Sequence, residues 1–278
     1  MSCIEKDAHD VFYQGGNDLL HAANTVDDYV QWYHGLYLSP FHRGGITKGY
    51  VRNQAVEALL QAVALSGKNY NQVRVLDAGC GQGGLSVYLA CLGFEVIAVD
   101  LSEVACADAR TLAKKLAVDN RCVFHATSLA DIPEEDHSID YIIGHASLHH
   151  FIKYREIPAE LSRISKPGCE GFFADSYGEN PIYRLFHNKE QMTRLGDVSL
   201  TKPMVEDYFN PLFSVQMIPA DWFAMLDKLW LKVLPRSSLG LARAMAKVHH
   251  SLDRCIPISS RIALRLSGSA MTHIKRLG

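Results

Sequence analysis

Short β-branched runs alternate with amphipathic stretches from residue 73 to residue 175, and this alternation is the strongest periodic signal in the chain. Val73 to Leu76 is a compact apolar run ending at Asp77. Gly79, Gly81, Gly83 and Gly84 follow, then a helical stretch from Leu85 to Leu92 that Gly93 closes. Phe94 to Val99 predicts a second strand ending at Asp100, and Glu103 to about Ala117 another helix. Arg121 to His125 and Ile139 to Ile143 read as the third and fourth strands. A helix near Glu156 to Ile164 stops at Lys166-Pro167-Gly168, and Gly171 to Ala174 is a fifth strand ending at Asp175. Strands alternating with helices imply a parallel sheet with right-handed crossovers. Ligands bind such sheets beyond the carboxyl ends of the strands, where Asp77, Asp100, Ser128, His145 and Asp175 all fall.

The flanks carry a different pattern. Residues 1–70 read as a helical, polar-aromatic cap, with a loop at Ser39 to Gly45 and helical spacing over Gln54 to Ala64 ended by Ser66-Gly67. Beyond Asp175 the alternation is lost. Phe213 to Met217 is a candidate strand, Trp222 to Leu234 and Leu239 to Leu252 are amphipathic, and Gly268 to Lys275 is a candidate last strand. The expected organisation is a cap over 1–70, an α/β core over 71–220, a helical lid over 221–262 and a last core strand within 263–278.

Composition narrows the function classes. The chain has 278 residues, 48% hydrophobic and 21% charged, which suits one large domain with or without a smaller cap. Its net charge of −2 gives no global basic field toward nucleic acid. The charge is uneven, however: from Lys228 onward ten Lys or Arg face a single acid, Asp253. Seven cysteines, an odd number without CxxC spacing, fit neither a disulfide framework nor a zinc site. No apolar leader segment and no run near the ~18 residues of a membrane span is visible. These features together predict a cytoplasmic protein without a transmembrane segment.

The chemistry centres on Val75-Leu76-Asp77-Ala78-Gly79-Cys80-Gly81-Gln82-Gly83-Gly84. Glycines at a strand-to-helix turn let the backbone approach a ligand, and the following helix aims its N-terminus at the same place. Gly79, Gly81 and Gly84 also satisfy the G-x-G-x-x-G pattern of dinucleotide binders, with Asp100 at the ribose distance. Asp77 separates the two readings. A carboxylate two residues before the first glycine repels a pyrophosphate, whereas it attracts the ammonium and sulfonium of S-adenosylmethionine (SAM). Asp100 has acceptors only and suits both ribose hydroxyls.

This segment resembles the class I SAM-dependent methyltransferases. VLDAGCGQGG is similar to their first motif and FEVIAVDLS to their second; SLADIP, SIDYIIGHASLHHF and LSRISKPGCEGFFADS continue in the same order. The resemblance spans about Val73 to Ser176 and implies a Rossmann-like, mostly parallel seven-stranded sheet with helices on both faces. It implies SAM contacts at Asp77, Gly79, Gly81, Asp100, Leu101 and Ser102, adenine contacts at Ser128 and Leu129, and a methionine contact at His145. Two positions depart from the pattern. Ser128 stands where the family often has an acid, and Cys169 where it often has a glycine.

Methyl transfer needs an in-line arrangement, and a hydroxyl nucleophile gains from a base whose pKa lies near neutrality. His149-His150 follows the fourth strand and Asp175 ends the fifth. This pairing resembles small-molecule O-methyltransferases of natural-product and sugar biosynthesis, which implies a catalytic role within the set; which histidine acts stays open. S-adenosylhomocysteine is the implied by-product, and no metal is called for. Three rival readings remain at this stage: an amine or carbon acceptor served mainly by positioning, a nicotinamide-dependent oxidoreductase, and a non-catalytic domain of the same fold. Tyr29, Trp32, Tyr33, His34, Tyr37, Phe41 and His42 are expected chiefly as the cap's own aromatic core. The apolar stripe from Trp222 to Val233 and the basic residues after it are expected as a lid with a solvated basic face or an oligomer contact, in preference to a membrane-surface contact.

Overall fold

The computed structural model describes residues 23–35, 46–177, 198–220 and 267–278, together with Asp10, Leu19, Val248, Leu252 and Leu264. Seven strands form one sheet: β1 (Arg74–Ala78), β2 (Glu95–Asp100), β3 (Cys122–Ala126), β4 (Ile139–His145), β5 (Ser165–Ser176), β6 (Phe213–Ala220) and β7 (Ser269–Arg276). Their order is β3-β2-β1-β4-β5-β7-β6. The first five strands pair in parallel; β7 runs antiparallel to both β5 and β6. This is the expected mostly parallel seven-stranded sheet, and its order reverses between β1 and β4.

Helices cover both faces. On one side lie α2 (Ile46–Ser66), α3 (Gly84–Leu92) and α4 (Glu103–Lys115). They pack a core that includes Val75, Val96, Ala98, Ile143, Phe172 and Ala174. On the other lie the single turn α5 (Leu148–Phe151), α6 (Ile157–Ile164) and α7 (Lys202–Phe209). They pack against Leu76, Ile97, Ile142 and Phe173. Strands buried on both sides read as near-continuous apolar runs, which is why their positions were visible in the sequence. The α2 helix is longer than the Gln54–Ala64 pattern predicts, and it lies on the sheet against β4, β5 and β7.

Two expectations are corrected. The βα alternation does not end at Asp175, since α7 lies between β5 and β6. This helix has only eight residues, with Pro203 in its first turn, and Val205, Tyr208 and Phe209 supply its buried side. That is too short a stretch to establish a helical period in the sequence. The aromatics of α1 (Val26–Tyr33) do not make a core of their own. Thr25 caps α1 by accepting from Asp28 N–H at 3.2 Å, and Tyr29 and Tyr33 turn onto α3. Tyr33 stacks on Tyr88 at 4.9 Å, and Tyr29 Oη donates to the Gly84 carbonyl at 3.0 Å. Tyr13, Tyr37, Phe41, His42 and, apart from Val248 and Leu252, the expected lid over 221–262 lie outside the described residues.

At the amino ends of the strands, Asp140 is held by three donors: Lys68 Nζ (2.7 Å), Lys166 Nζ (2.9 Å) and the Arg74 N–H (3.0 Å). Lys166 reaches it because the β4–β5 register jumps from Ile139↔Ser165 to Tyr141↔Glu170, which bows the intervening residues outward. Burial opposes ionisation of Asp140, but the Arg74 N–H and the two ammonium groups outweigh it and hold the carboxyl below its ordinary value. A lowered carboxyl pKa stabilises the fold above the unfolded value near ~4, and that stabilisation is lost as pH falls through the folded value. Asp140→Ala should therefore cost about 1–3 kcal/mol at neutral pH. In urea titrations the gap from wild type should close below about pH 4.

Candidate active site

The carboxyl end of β2 organises the glycine loop. The Val99 carbonyl accepts from the N–H groups of Gly79 (2.8 Å) and Cys80 (3.0 Å). The next residue, Asp100, accepts from Gly81 N–H at Oδ2 (2.8 Å) and from Ser102 N–H at Oδ1 (3.0 Å). Gly83 N–H closes on the Cys80 carbonyl at 3.0 Å. Gly79, Cys80, Gly81 and Gly83 thus spend their donors inside the protein. A pyrophosphate cradle needs such donors free, so this loop serves a ligand by close approach. Gly79 permits that approach: its φ is +81°, and a Cβ there would sit 2.6 Å from Ser147 Cβ. The Asp100 carboxylate offers about four acceptor sites, of which two are used, leaving capacity for a vicinal diol.

Asp77 is 1% exposed and accepts from Ser86 Oγ at 2.6 Å. Burial pushes its carboxyl up to about 7; the Ser86 hydrogen bond opposes this and the nearby Asp100 charge adds to it. A buried acid that resists ionisation when alone is suited to a cationic ligand, which would restore the charged form.

His145 ends β4. Asp77 and Ile143 are register partners on adjacent parallel strands, so His145 lies on the same face, two residues or roughly 6.6 Å further along. Both of its ring nitrogens are buried and neither has a hydrogen-bond partner among the described residues. Burial, and after it the Arg52 guanidinium, hold its pKa well below the ordinary value. Ser147 Oγ, beside Gly79 and Gly144, is likewise buried without a partner among the described residues. Native proteins leave few such groups; Ser138 Oγ, Ser165 Oγ and Arg276 Nε at the other end of the sheet are further cases among the described residues.

The other expected cofactor residues surround this point with different commitments. Ser102 is fully buried and caps α4, accepting from Ala105 N–H at 3.1 Å; its hydroxyl donates to Asp10. Leu101 is half-buried, and Leu129 belongs to the core of the opposite face. Ser128 Oγ accepts from Ala130 N–H at 3.1 Å, which leaves its own hydrogen to donate.

On the opposite face of the sheet, Asp175 joins two groups. Its Oδ1 lies 2.6 Å from His149 Nδ1, and its Oδ2 accepts from the Leu148 N–H that opens α5 at 3.3 Å. The turn into α5 passes through Ala146, a non-glycine residue at φ +54°, held by a bond from its N–H to the Ala174 carbonyl at 2.8 Å. Strain of this kind persists only where the surroundings enforce it. A carboxylate that is ionised only accepts, so the proton of this contact would lie on Nδ1. The Asp175 side chain is 2% exposed and that of His149 is 18%, so the histidine faces out and the acid lies beneath it. His150 stacks at 4.1 Å from His149, tilted by 42°. Of the three residues expected to do chemistry, the structure brings His149 and Asp175 together. Ser86, Ser147, Arg52 and Asp10 also belong to the site's surroundings; Ser147 lies within the quoted segment SIDYIIGHASLHHF without being singled out, and no quoted motif contains the other three.

The model of the methyltransferase domain family matches residues 75–168. Ubiquinone biosynthesis O-methyltransferase of Hahella chejuensis is 33% identical over 129 residues, covering 45% of this chain and 50% of that protein. The chain spans half or less of the length of the curated relatives it matches. Among solved structures, geranyl diphosphate C-methyltransferase of Streptomyces coelicolor superposes with a TM-score of 0.61 at 15% identity, covering 99% of this chain and 98% of that one. The phosphoethanolamine N-methyltransferase 2 of Haemonchus contortus superposes with a TM-score of 0.59 at 16% identity, covering 100% and 61%. At these identities the structural likeness is one of fold.

The raised pKa of Asp77 gives a signed expectation for the ligand-free protein. Between the ordinary carboxylate value and about 7 the folded state keeps a proton that the unfolded chain releases, so this contribution to stability falls as pH rises through that window. Relative to Asp77→Asn, wild type should lose urea midpoint steadily from about pH 4 to about pH 7 and run parallel above it. Parallel curves across the whole window would show that Asp77 ionises normally.

Proposed function

We propose that this chain, which carries a class I SAM-dependent methyltransferase domain, transfers a methyl group from SAM to a hydroxyl oxygen of a small molecule. The observation that carries the choice of oxygen is the 2.6 Å contact between His149 Nδ1 and buried Asp175. Bound SAM supplies a methyl carbon activated by its sulfonium. Asp100 would hold the ribose hydroxyls and Asp77 the cationic methionine end. Gly79 and Gly81 would let the backbone close on the ligand, with Ser128 and Leu129 near the adenine.

The acceptor hydroxyl would sit against His149 Nε2. As the oxygen took the methyl carbon from the sulfonium, whose C–S bonding pair would stay with the departing S-adenosylhomocysteine, Nε2 would take the hydroxyl proton, and the resulting imidazolium would be stabilised through Nδ1–H by Asp175. Asp175 would accept from Nδ1–H and set the orientation of the ring. His150, stacked on His149, would pack the ring in place. The hydroxyl reading rests on this His–Asp pair, because a neutral amine needs little help from a base. The chain is similar to an O-, a C- and an N-methyltransferase, and those names by themselves favour none of the three acceptors. The spent donors of the glycine loop and the buried Asp77 weigh against a nicotinamide dinucleotide.

Calorimetric titration with SAM, S-adenosylhomocysteine and NADH tests the cofactor. Micromolar heats from the two adenosyl ligands and none from NADH are expected; heat from NADH alone would overturn the reading. Turnover is then followed as S-adenosylhomocysteine release over a panel of phenols, quinols and sugars. With any accepted hydroxyl, His149→Ala should lower kcat by about 100- to 10,000-fold with SAM affinity unchanged. Asp175→Asn should lower kcat and alter the acid limb of the pH–rate profile. Unchanged turnover in His149→Ala would exclude base assistance by this residue.

A further inference from the structure

The base proposed above is carried by one turn of helix. The α5 turn has four residues, Leu148 to Phe151, and its N-cap Ser147 gives it no side-chain bond. So short a helix closes too few of its own hydrogen bonds to hold a fixed orientation, so its direction is set from outside. The orientation matters because one Asp175 carboxylate meets both the His149 ring at 2.6 Å and the Leu148 N–H at 3.3 Å. A tilt of the turn lengthens one of these contacts.

The β5 side fixes the entry of the turn, through Asp175 and through the Ala146 N–H bond to the Ala174 carbonyl. At its exit stand the carbonyls that the last turn of any helix leaves without an intrahelical donor. Donors reach them from α7 and from the segment leading into it. Val198 N–H donates to the His149 carbonyl at 3.1 Å. Tyr208 Oη lies 3.1 Å from the Phe151 carbonyl and 3.0 Å from the Tyr154 carbonyl, so its one proton is shared between them. The Tyr208 ring is buried, 6.4 Å from the Phe151 ring and 5.0 Å from that of Phe209, which packs on Phe173 of β5 at 5.9 Å. A buried hydroxyl costs free energy without an acceptor, and these two carbonyls supply it.

We infer that Tyr208 is a positioning residue for His149: its hydroxyl fixes the exit of α5 and thereby keeps the His149 ring on Asp175. The inference rests on the base reading of His149 above and deepens it. The phenol acts through the backbone of α5 and takes no part in the proton transfer. Removing its hydroxyl leaves the Phe151 carbonyl bonded to Tyr154 N–H (2.9 Å) and the Tyr154 carbonyl to Ile157 N–H (3.3 Å). The Tyr208→Phe chain therefore keeps its packing and these turn bonds, while the exit of α5 loosens from α7.

The test reads the His149 ring directly, on the full chain with its histidines labelled by the heavy nitrogen isotope. Long-range NMR correlations from the ring C–H protons show which nitrogen is protonated, and the His149 signals are those lost in His149→Ala. Above the titration of the ring, wild type should show a single tautomer with the proton on Nδ1. Tyr208→Phe should show a mixture of the two tautomers, as a solvated imidazole does, with a urea midpoint close to that of wild type. With a hydroxyl acceptor from the panel above, its kcat should fall about tenfold with KM and SAM affinity unchanged. In the His149→Ala background the same substitution should cost nothing further. A single Nδ1–H tautomer in Tyr208→Phe would overturn the assignment, and so would an equal fold-loss of kcat in both backgrounds. Mixed tautomers in wild type would instead bring down the His149–Asp175 contact, and with it both the base reading and this positioning role.

Discussion

Two consecutive residues at the end of β2 hold the glycine loop. The Val99 carbonyl takes the N–H groups of Gly79 and Cys80, and the Asp100 carboxylate takes those of Gly81 and Ser102. Everything at the ligand-binding edge depends on this arrangement. It sets the exit of β1, the entry of α3 and the first turn of α4 from one point. It also leaves the loop few donors for a phosphate, so the same bonds that shape the turn select what can lie on it. Asp100 serves the loop with half of its acceptor capacity and retains the other half.

The two ends of the strands are built on opposite principles. At the amino end, Asp140 sits among three donors, and the ion pairs Arg74–Glu134 and Arg163–Glu160 are linked by a bond from Arg163 to the Glu134 backbone carbonyl. The acids there are paired within the protein, while Ser138 Oγ, Ser165 Oγ and Arg276 Nε are buried without a partner among the described residues. At the carboxyl end, Asp77 is buried and supported by the hydroxyl and the backbone of Ser86, and the His145 ring nitrogens and the Ser147 hydroxyl are buried without a side-chain partner among the described residues. Polar capacity is held in reserve at the edge where ligands bind.

The sheet separates two tasks by face. Asp77 and His145 lie on the face covered by α2, α3 and α4, and Asp175 with His149 on the face covered by α5, α6 and α7. Neighbouring residues of β5 make this separation, since Ala174 faces one core and Asp175 the other. Asp77 with His145 and Asp175 with His149 therefore stand on opposite faces at the carboxyl ends of the strands. The amino-terminal segment closes the first side. Tyr29 bonds the Gly84 carbonyl, and Asp10 accepts from the Ser102 hydroxyl and from Val104 N–H. These contacts hold Asp10 and α1 against the glycine loop and the first turn of α4.

The sequence by itself determined the strands, their parallel course and the identity of the loop, because buried strands and tight turns impose composition locally: apolar runs where both faces are covered, glycine where φ is positive. Asp77, Asp100 and Asp175 were legible for the same reason, since a polar residue ending an apolar run sits at a strand's end wherever that strand lies. Helix α7 was not legible, because eight residues with a proline in the first turn are too few to show a period. The residues of α1 were legible as aromatic but not as part of the main core. Only the tertiary structure put His149 against Asp175, since that contact depends on which ring the α5 turn presents to an acid 26 positions away. It alone brought Arg52 beside His145, through the packing of a helix from before β1 onto strands that follow it. Local pattern records what each residue's own segment requires; contacts between segments distant in the chain leave no periodic trace in either of them.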